Sequence, residues 1–258
     1  MQNILAIAGV VLREMIRRKD FYVLFVLTAL IVLIMGSVNF FGDDKIVRYL
    51  KEICLLLIWV SSLVMAITTA ARQLPSEREN RTIFPLLAKP VTRDQVVLGK
   101  FFGCWFAMGM ALLLFYLFFA VISGSREHYL PVGSYLQALG AHWLALGVIV
   151  AMALLGSLVF AAPSSNGTIC LVVVIGILTV GRHLNKVALG MPEPQQTLVY
   201  TLYYLLPHLE LFDLRDLVIH NWPVAPWCPW LMLHLYAAVY AALFLLAACL
   251  KFRRTTLD

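Results

Sequence analysis

The chain has 258 residues, 62% of them hydrophobic and 13% charged, with a mean hydropathy of +0.86. A soluble domain is roughly half apolar and a quarter charged, so this composition excludes a single water-soluble core and points to a helical protein with several membrane spans. The formal net charge of +6 then reads as membrane-flanking Lys and Arg, and no nucleic-acid partner is expected without a soluble basic domain to carry one.

Residues 1–20 come first. Ile4, Leu5, Ile7, Ala8, Val11, Leu12 and Met15 recur at helical spacing, with Arg13, Arg17 and Arg18 at the basic end. The pattern predicts an interfacial helix along the inner leaflet. The first long apolar run begins near Phe21 without a small-residue cleavage site, so it is expected to stay as a span rather than leave as a signal. Six runs are long enough to cross, at about 21–40, 53–71, 101–123, 139–161, 167–184 and 230–250, since a helix needs roughly 20 apolar residues at about 1.5 Å each. Lys and Arg in 13–19, 72–100 and 251–254 outnumber those in the alternate loops about two to one. The positive-inside rule therefore makes that side, and both termini, cytoplasmic. The expected architecture is an all-α membrane protein forming one domain over 1–258. It has six transmembrane helices, the interfacial helix, a cytoplasmic helical loop over 75–100 and short outer helices between spans five and six.

Asn166-Gly167-Thr168 matches a glycosylation acceptor, but Pro163 to Gly167 reads as a tight turn between two helices. The outer segment, 185–230, carries QTLVYTLYYLLP (196–207), apolar but too short to span. LELFDLRDLVIH (209–220) reads as an amphipathic helix with Asp213, Asp216 and His220 on one face. Such elements suit a re-entrant or cap structure packed into protein, and the Trp-rich 222–230 suits the headgroup region. His208, Glu210, Asp213, Asp216 and His220 form a polar row, but its spacing is that of a wet helix face, and no metal site is expected.

Catalytic signatures are missing. No His is followed by Glu, so HExxH is excluded, and there is no GxSxG. Gly99-Lys100 is not a phosphate loop, because that motif needs Gly at 94 and Ser or Thr at 101, where Asp94 and Phe101 stand. The span interiors hold almost no ionisable residues, against an ion channel or a proton-coupled carrier. The five cysteines, Cys54, Cys104, Cys170, Cys228 and Cys249, form no CxxC pair. Four of them fall in apolar runs and read as small hydrophobes, and no disulfide framework or zinc site is expected.

The loop 75–100 is the most patterned charged stretch. Ser76 and Glu79 read as a capping box that starts a new helix, with Ile83, Leu86 and Leu87 as its apolar stripe. Pro85 should kink that helix and Pro90 should end it. Thr92 to Gln95 reads as a second capping box, launching the third span. Gly99 and Gly103 form a GxxxG that permits close helix approach. A rigid charged element held between two spans suits docking of a cytoplasmic partner.

Glu77-Arg78-Glu79, Thr82, Leu86-Leu87, Pro90, Arg93 and Gly99-Lys100 resemble the loop after the second span of ABC-2-type transporter permeases. REMIRRKDFY (13–22) is similar to the family's entry helix, and LLPHLELFDLRD (205–216) to its outer segment. Arg81, where many members carry Gly, and Pro85 depart from the pattern. The resemblance implies a permease dimer, twelve spans in all, and separate ATPase subunits that bind ATP-Mg. It also implies a coupling helix at about 77–89 that switches the path, usually for export. Under it Glu77, Arg78, Glu79 and Arg81 contact the ATPase, Ile83, Leu86 and Leu87 fill its groove, and Arg93 and Lys100 anchor the loop at the inner leaflet. By the same resemblance this chain itself is expected to need no cofactor and to be no enzyme. The expected location is the cell membrane. A membrane scaffold with the same docking loop, or an intramembrane lipid-modifying enzyme, are the alternatives.

Overall fold

A computed structural model describes residues 2–17, 19–37, 44–79, 91–127, 131–160 and 162–254. Among them every regular element is helical. In chain order these are α1 (Gln2–Arg17), α2 (Lys19–Ser37), α3 (Asp44–Glu79), α4 (Arg93–Glu127), α5 (Val132–Val159), α6 (Pro163–Ala188), α7 (Gln195–Leu205), a 3-10 turn (Leu209–Phe212), α8 (Arg215–Ile219) and α9 (Trp227–Arg254). Five stretches are long and apolar enough to cross a membrane: Arg48–Glu79, Arg93–Ser125, Val132–Val159, Pro163–Gly181 and Trp227–Arg254. They overlap five of the predicted spans, containing 53–71, 101–123 and 230–250 and ending short of 161 and 184 in the other two. The 19-residue α2 stands where the first was predicted. It is tied to α3 by Thr28 and Ser61, whose hydroxyls lie 2.7 Å apart.

The hub is α5. Ala138, Ala141, Ala145, Ala151, Ala153 and Gly156 keep its surface thin, and it is buried along most of its length. Small residues let helix backbones approach where lipid supplies no hydrophobic drive. It packs against α3, α4, α6 and α9. Against α4 the contact is reciprocal. Trp105 Nε1–H donates to the Trp143 carbonyl (2.9 Å) and Trp143 Nε1–H to the Trp105 carbonyl (3.0 Å), with the rings stacked at 4.7 Å. Gly109 and Gly147, one turn on in each helix, make room. A Cβ would fall 2.5 Å from the Trp143 Nε1 at Gly109, and 2.8 Å from the Trp105 Nε1 at Gly147.

Three local expectations are corrected. The first capping box does not start a helix, because α3 runs unbroken through Pro75 and Ser76 to Glu79. Glu77 in that last turn is bonded to Lys100 of α4, and the tertiary contact secures the turn that proline weakens. Second, Asn166 is not in a turn. With Pro163 in the first turn, where its missing N–H costs nothing, α6 starts early. Asn166 is fully buried, and its Nδ2 donates to the Ala153 carbonyl of α5 at 3.0 Å. Third, 209–220 is not one helix. His208 and Asp213 have φ/ψ of −78°/78° and −82°/83°. Bonds from Leu209 N–H to Pro207 O and from Leu214 N–H to Phe212 O close an inverse γ-turn at each. The two turns bracket the 3-10 turn and send Leu209 and Phe212 into the core, with Val218 and Ile219 following from α8.

The Trp-rich 222–230 is stitched to the start of α5. The Gln137 side chain donates to the Ala225 carbonyl (3.0 Å) and accepts from its N–H (2.7 Å), and Ser134 Oγ donates to the Trp222 carbonyl (3.0 Å). By contrast α7 buries none of its residues within the chain. Cys228, in the first turn of α9, is exposed, whereas Cys54, Cys104 and Cys170 are buried and Cys249 half-buried.

Candidate functional site

The end of α3, the start of α4, the end of α9 and the length of α1 meet at one end of the bundle. Residues 80–90 connect α3 to the stretch that leads into α4, so this junction flanks the predicted coupling segment. Arg81, Thr82, Ile83, Leu86, Leu87 and Pro90 lie outside the described residues, as does Arg18.

The start of α4 is built as its sequence predicts. Thr92 N–H donates to Gln95 Oε1 (3.2 Å) and Gln95 N–H to Thr92 Oγ1 (3.3 Å), a reciprocal capping box. Gln95 Oε1 also accepts from Asn3 Nδ2 of α1 (3.3 Å). Arg93 reaches across to the last turn of α9, donating from Nη1 to the carbonyls of Phe252 (2.7 Å) and Arg253 (3.2 Å). These are acceptors that a helix end leaves without intrahelical donors. Its guanidinium also lies over the Phe252 ring, 5.4 Å from the centroid. Asp94, in the first turn of α4, pairs with Arg253. Each charge sits at the helix end whose dipole it complements.

Two turns into α4, Lys100 is 2% exposed. Its ammonium donates to Glu77 Oε1 at 2.7 Å and to Gln73 Oε1 at 3.1 Å, both on α3. Gly99 and Gly103 receive α1. A Cβ at Gly99 would sit 2.7 Å from the Ile7 Cβ, and one at Gly103 2.7 Å from the Val11 Cβ and 2.9 Å from the Ala8 carbonyl. The GxxxG thus seats α1 through Ile7, Val11 and Met15, which are buried, while Arg13 and Arg17 stay exposed. Glu79 is exposed at the tip of α3. Arg78 is half-buried, and among the described residues its Nε and Nη2 are buried without a hydrogen-bond partner.

The polar row of the far segment divides. His208 bonds Tyr236 of α9 through both its backbone N–H (2.8 Å) and Nδ1 (3.0 Å). Asp213 accepts two bonds from Arg215, at 2.7 and 2.8 Å. Burial works against ionisation of Asp213, but the Arg215 bonds and charge outweigh it and hold the carboxyl below its usual range. Asp216 is exposed, the side chain of Glu210 lies against Gly181, and His220 stacks on Trp222 at 4.9 Å. Among the described residues no three His, Cys, Asp or Glu side chains converge as a metal site would require.

Two buried polar groups escaped the sequence reading. Lys51, 1% exposed near the start of α3, donates to Glu127 Oε2 (2.5 Å), Asn221 Oδ1 (3.1 Å) and the Val218 carbonyl (3.3 Å). One ammonium therefore knots α3, the end of α4 and the far segment. His142 lies within the fourth predicted span. Its Nδ1 is 2.7 Å from the Tyr116 hydroxyl, and its ring stacks on Trp59 at 4.5 Å. Lys51 borders an apolar run and looked like a flank; only the three acceptors, distant in sequence, reveal it.

The junction is a lashing of helix ends around an exposed charged tip. The chain matches, over residues 5–254, the family described as ABC-2 family transporter protein. Among individual curated proteins none matches. With that match running from α1 through α9, over a bundle of apolar membrane-length helices, the chain belongs to the ABC-2 family of transporter permeases.

Proposed function

We propose that the chain, acting over 1–258 as one domain, is the permease subunit of an ATP-driven exporter in the cell membrane. In this reading α2 adds a sixth span, both termini and the junction are cytoplasmic, and two copies form the path. Separate ATPase subunits bind ATP-Mg and dock on 75–100. The family match over 5–254 carries the reading. The lashing at the junction supports it in mechanical terms. Lys100 and Glu77 couple α4 to α3, Arg93 and Asp94 couple α4 to α9, and Gly99 and Gly103 couple it to α1. A push on 80–90 would therefore move four helices together. Packed helix bundles respond to such a push by switching between discrete arrangements.

The docking face comprises Arg78, Glu79, Arg81 and Thr82, with Ile83, Leu86 and Leu87 as the apolar contact. Glu77, Arg93 and Lys100 act behind it, transmitting load rather than touching the partner. The test is purification of the tagged chain from its native membrane with measurement of bound ATPase and ATP hydrolysis. A stoichiometric ATPase, lost in the Glu79→Arg/Arg81→Glu variant while the bundle stays folded, is the expected result. A chain that carries no ATPase would overturn the reading in favour of a membrane scaffold.

A further inference from the structure

The lashing at the junction has a counterpart at the other end of the bundle. Each of α3 and α4 carries a buried lysine near its start and a partly exposed glutamate in its last turn. The two helices run antiparallel, so each lysine meets the glutamate of the other helix. Lys100 Nζ lies 2.7 Å from Glu77 Oε1, and Lys51 Nζ 2.5 Å from Glu127 Oε2. From Lys51 to Glu77 along α3, and from Lys100 to Glu127 along α4, the rise is about 40 Å at about 1.5 Å per residue. A bilayer with its headgroup zones is about 40–45 Å thick. The pairs therefore clamp one hairpin at both membrane faces. Sliding α3 along α4 would pull a buried ammonium from its carboxylate at each end, which is strongly unfavourable.

The far clamp also holds a strap. Residues 208–225 cross the far end of the bundle, from His208 on Tyr236 of α9 to Ala225 on Gln137 of α5. Between these anchors Lys51 donates to Asn221 Oδ1 (3.1 Å) and to the Val218 carbonyl (3.3 Å), and Asn221 Nδ2 donates to Glu127 Oε2 (3.4 Å). The backbone explains the residue. Asn221 has φ 52°, and Trp222 N–H returns to the Leu217 carbonyl at 3.0 Å, so α8 ends on a left-handed residue, a place that Asn tolerates. The amide that ends α8 thus touches both members of the ion pair. The Lys51–Glu127 contact itself does not pass through the strap. If the strap lifts, the ammonium keeps its carboxylate and exchanges two neutral acceptors for water. The next anchors, Trp222 and Ala225, are on α5, which the lashing at the junction does not include. Movement of the lashed helices against α5 therefore pulls on the strap at Asn221.

We propose that α3 and α4 act as one doubly clamped rod, and that Lys51 is the latch through which this rod holds and releases the strap 208–225. The near clamp keeps the helices in register, so a load at the junction arrives at Lys51 without being lost to slip. The rod and latch are properties of the chain alone. Their use in transport rests on the permease reading, and a test that needs no ATPase lets the two fail separately.

The test reads hydrogen exchange over 215–222 in the full chain in phosphatidylcholine nanodiscs. Glu77→Leu/Lys100→Met replaces the near clamp by apolar residues of similar size. It should speed exchange in the strap, about 40 Å away, by about fivefold or more, the range of a coupling between sites. In an Asn221→Gly background the same two substitutions should add nothing, because the latch is already gone. Glycine keeps the left-handed backbone there and removes only the amide. Lys51→Met/Glu127→Leu gives a second latchless background should Asn221→Gly fold poorly. Trp105→Phe, which loosens α4 from α5 and leaves both clamps, should keep strap exchange at the wild-type level. Effects of sites this far apart ordinarily add. Additivity in a folded latchless background would therefore overturn the proposal. So would an unchanged strap in the near-clamp variant, or an equal rise with Trp105→Phe, which would mark general loosening of the bundle.

Discussion

Replacing Glu77 by Leu removes the carboxylate 2.7 Å from the Lys100 ammonium and leaves that ammonium, 2% exposed, with Gln73 Oε1 at 3.1 Å. Removing one member of a buried pair costs about 3–5 kcal/mol, whereas exposed pairs contribute about 0–1 kcal/mol. Glu77 is 27% exposed, so water shares the carboxylate in the wild type and the expected loss is about 2–4 kcal/mol, at the lower side of the buried range. Replacing both members by apolar residues of similar size is often nearly neutral. The double variant Glu77→Leu/Lys100→Met should therefore recover to within about 1 kcal/mol of wild type. The assay is equilibrium unfolding of the purified chain in mixed dodecylmaltoside–SDS micelles, read by helicity, for wild type, both single variants and the double variant. If the two single losses simply add in the double variant, Lys100 and Glu77 do not act as a pair and the junction is not lashed as described.

Gly103→Leu should lift α1 from α4 at an overpacking cost of about 1–3 kcal/mol, raising hydrogen exchange across 2–17. Gly9→Leu, with nothing within 4 Å of a Cβ, should leave that exchange unchanged. Trp105→Phe keeps an aromatic ring but loses the bond to the Trp143 carbonyl, with an expected cost of about 1 kcal/mol in the same unfolding assay. The Asp213–Arg215 pair gives the far segment an acid limit. Its carboxyl is held low when folded, so its contribution is complete above the ordinary carboxylate range and lost as pH falls through the folded value. Protection from hydrogen exchange over 209–220, referred to the intrinsic rate at each pH, should fall on acidification in the wild type. Asp213→Asn should show weaker protection at neutral pH and a flatter acid response.

Long apolar runs were readable because hydrophobic length is a local property, and the helices stand where those runs lie. The Thr92–Gln95 cap was equally local and formed as read. The apolar stripe of α1 was visible too, but its partner was found only through Gly99 and Gly103, where absent side chains admit Ile7 and Val11. Misreadings arose where a distant group outweighed a local motif. Ser76 to Glu79 has the letters of a cap, yet Lys100, more than twenty residues on, holds it in the previous helix. The repeat of Asp213, Asp216 and His220 has helical spacing, yet Asp213 folds back onto Arg215 and breaks the helix. Among the site residues, Glu77 and Lys100 were each singled out, one for docking and one for anchoring. Their mutual contact was not legible, since nothing in a sequence shows which charges meet.

Cys228 offers a natural reporter. Its thiol is exposed at the start of α9, at the opposite end of that helix from Arg253 and the lashed junction. The other four thiols are wholly or partly shielded, so a bulky maleimide that does not permeate bilayers should modify one position preferentially, with no engineered cysteine background. Intact cells that take up label, beside inverted vesicles that do not, would fix the sidedness of the whole bundle from a single native atom.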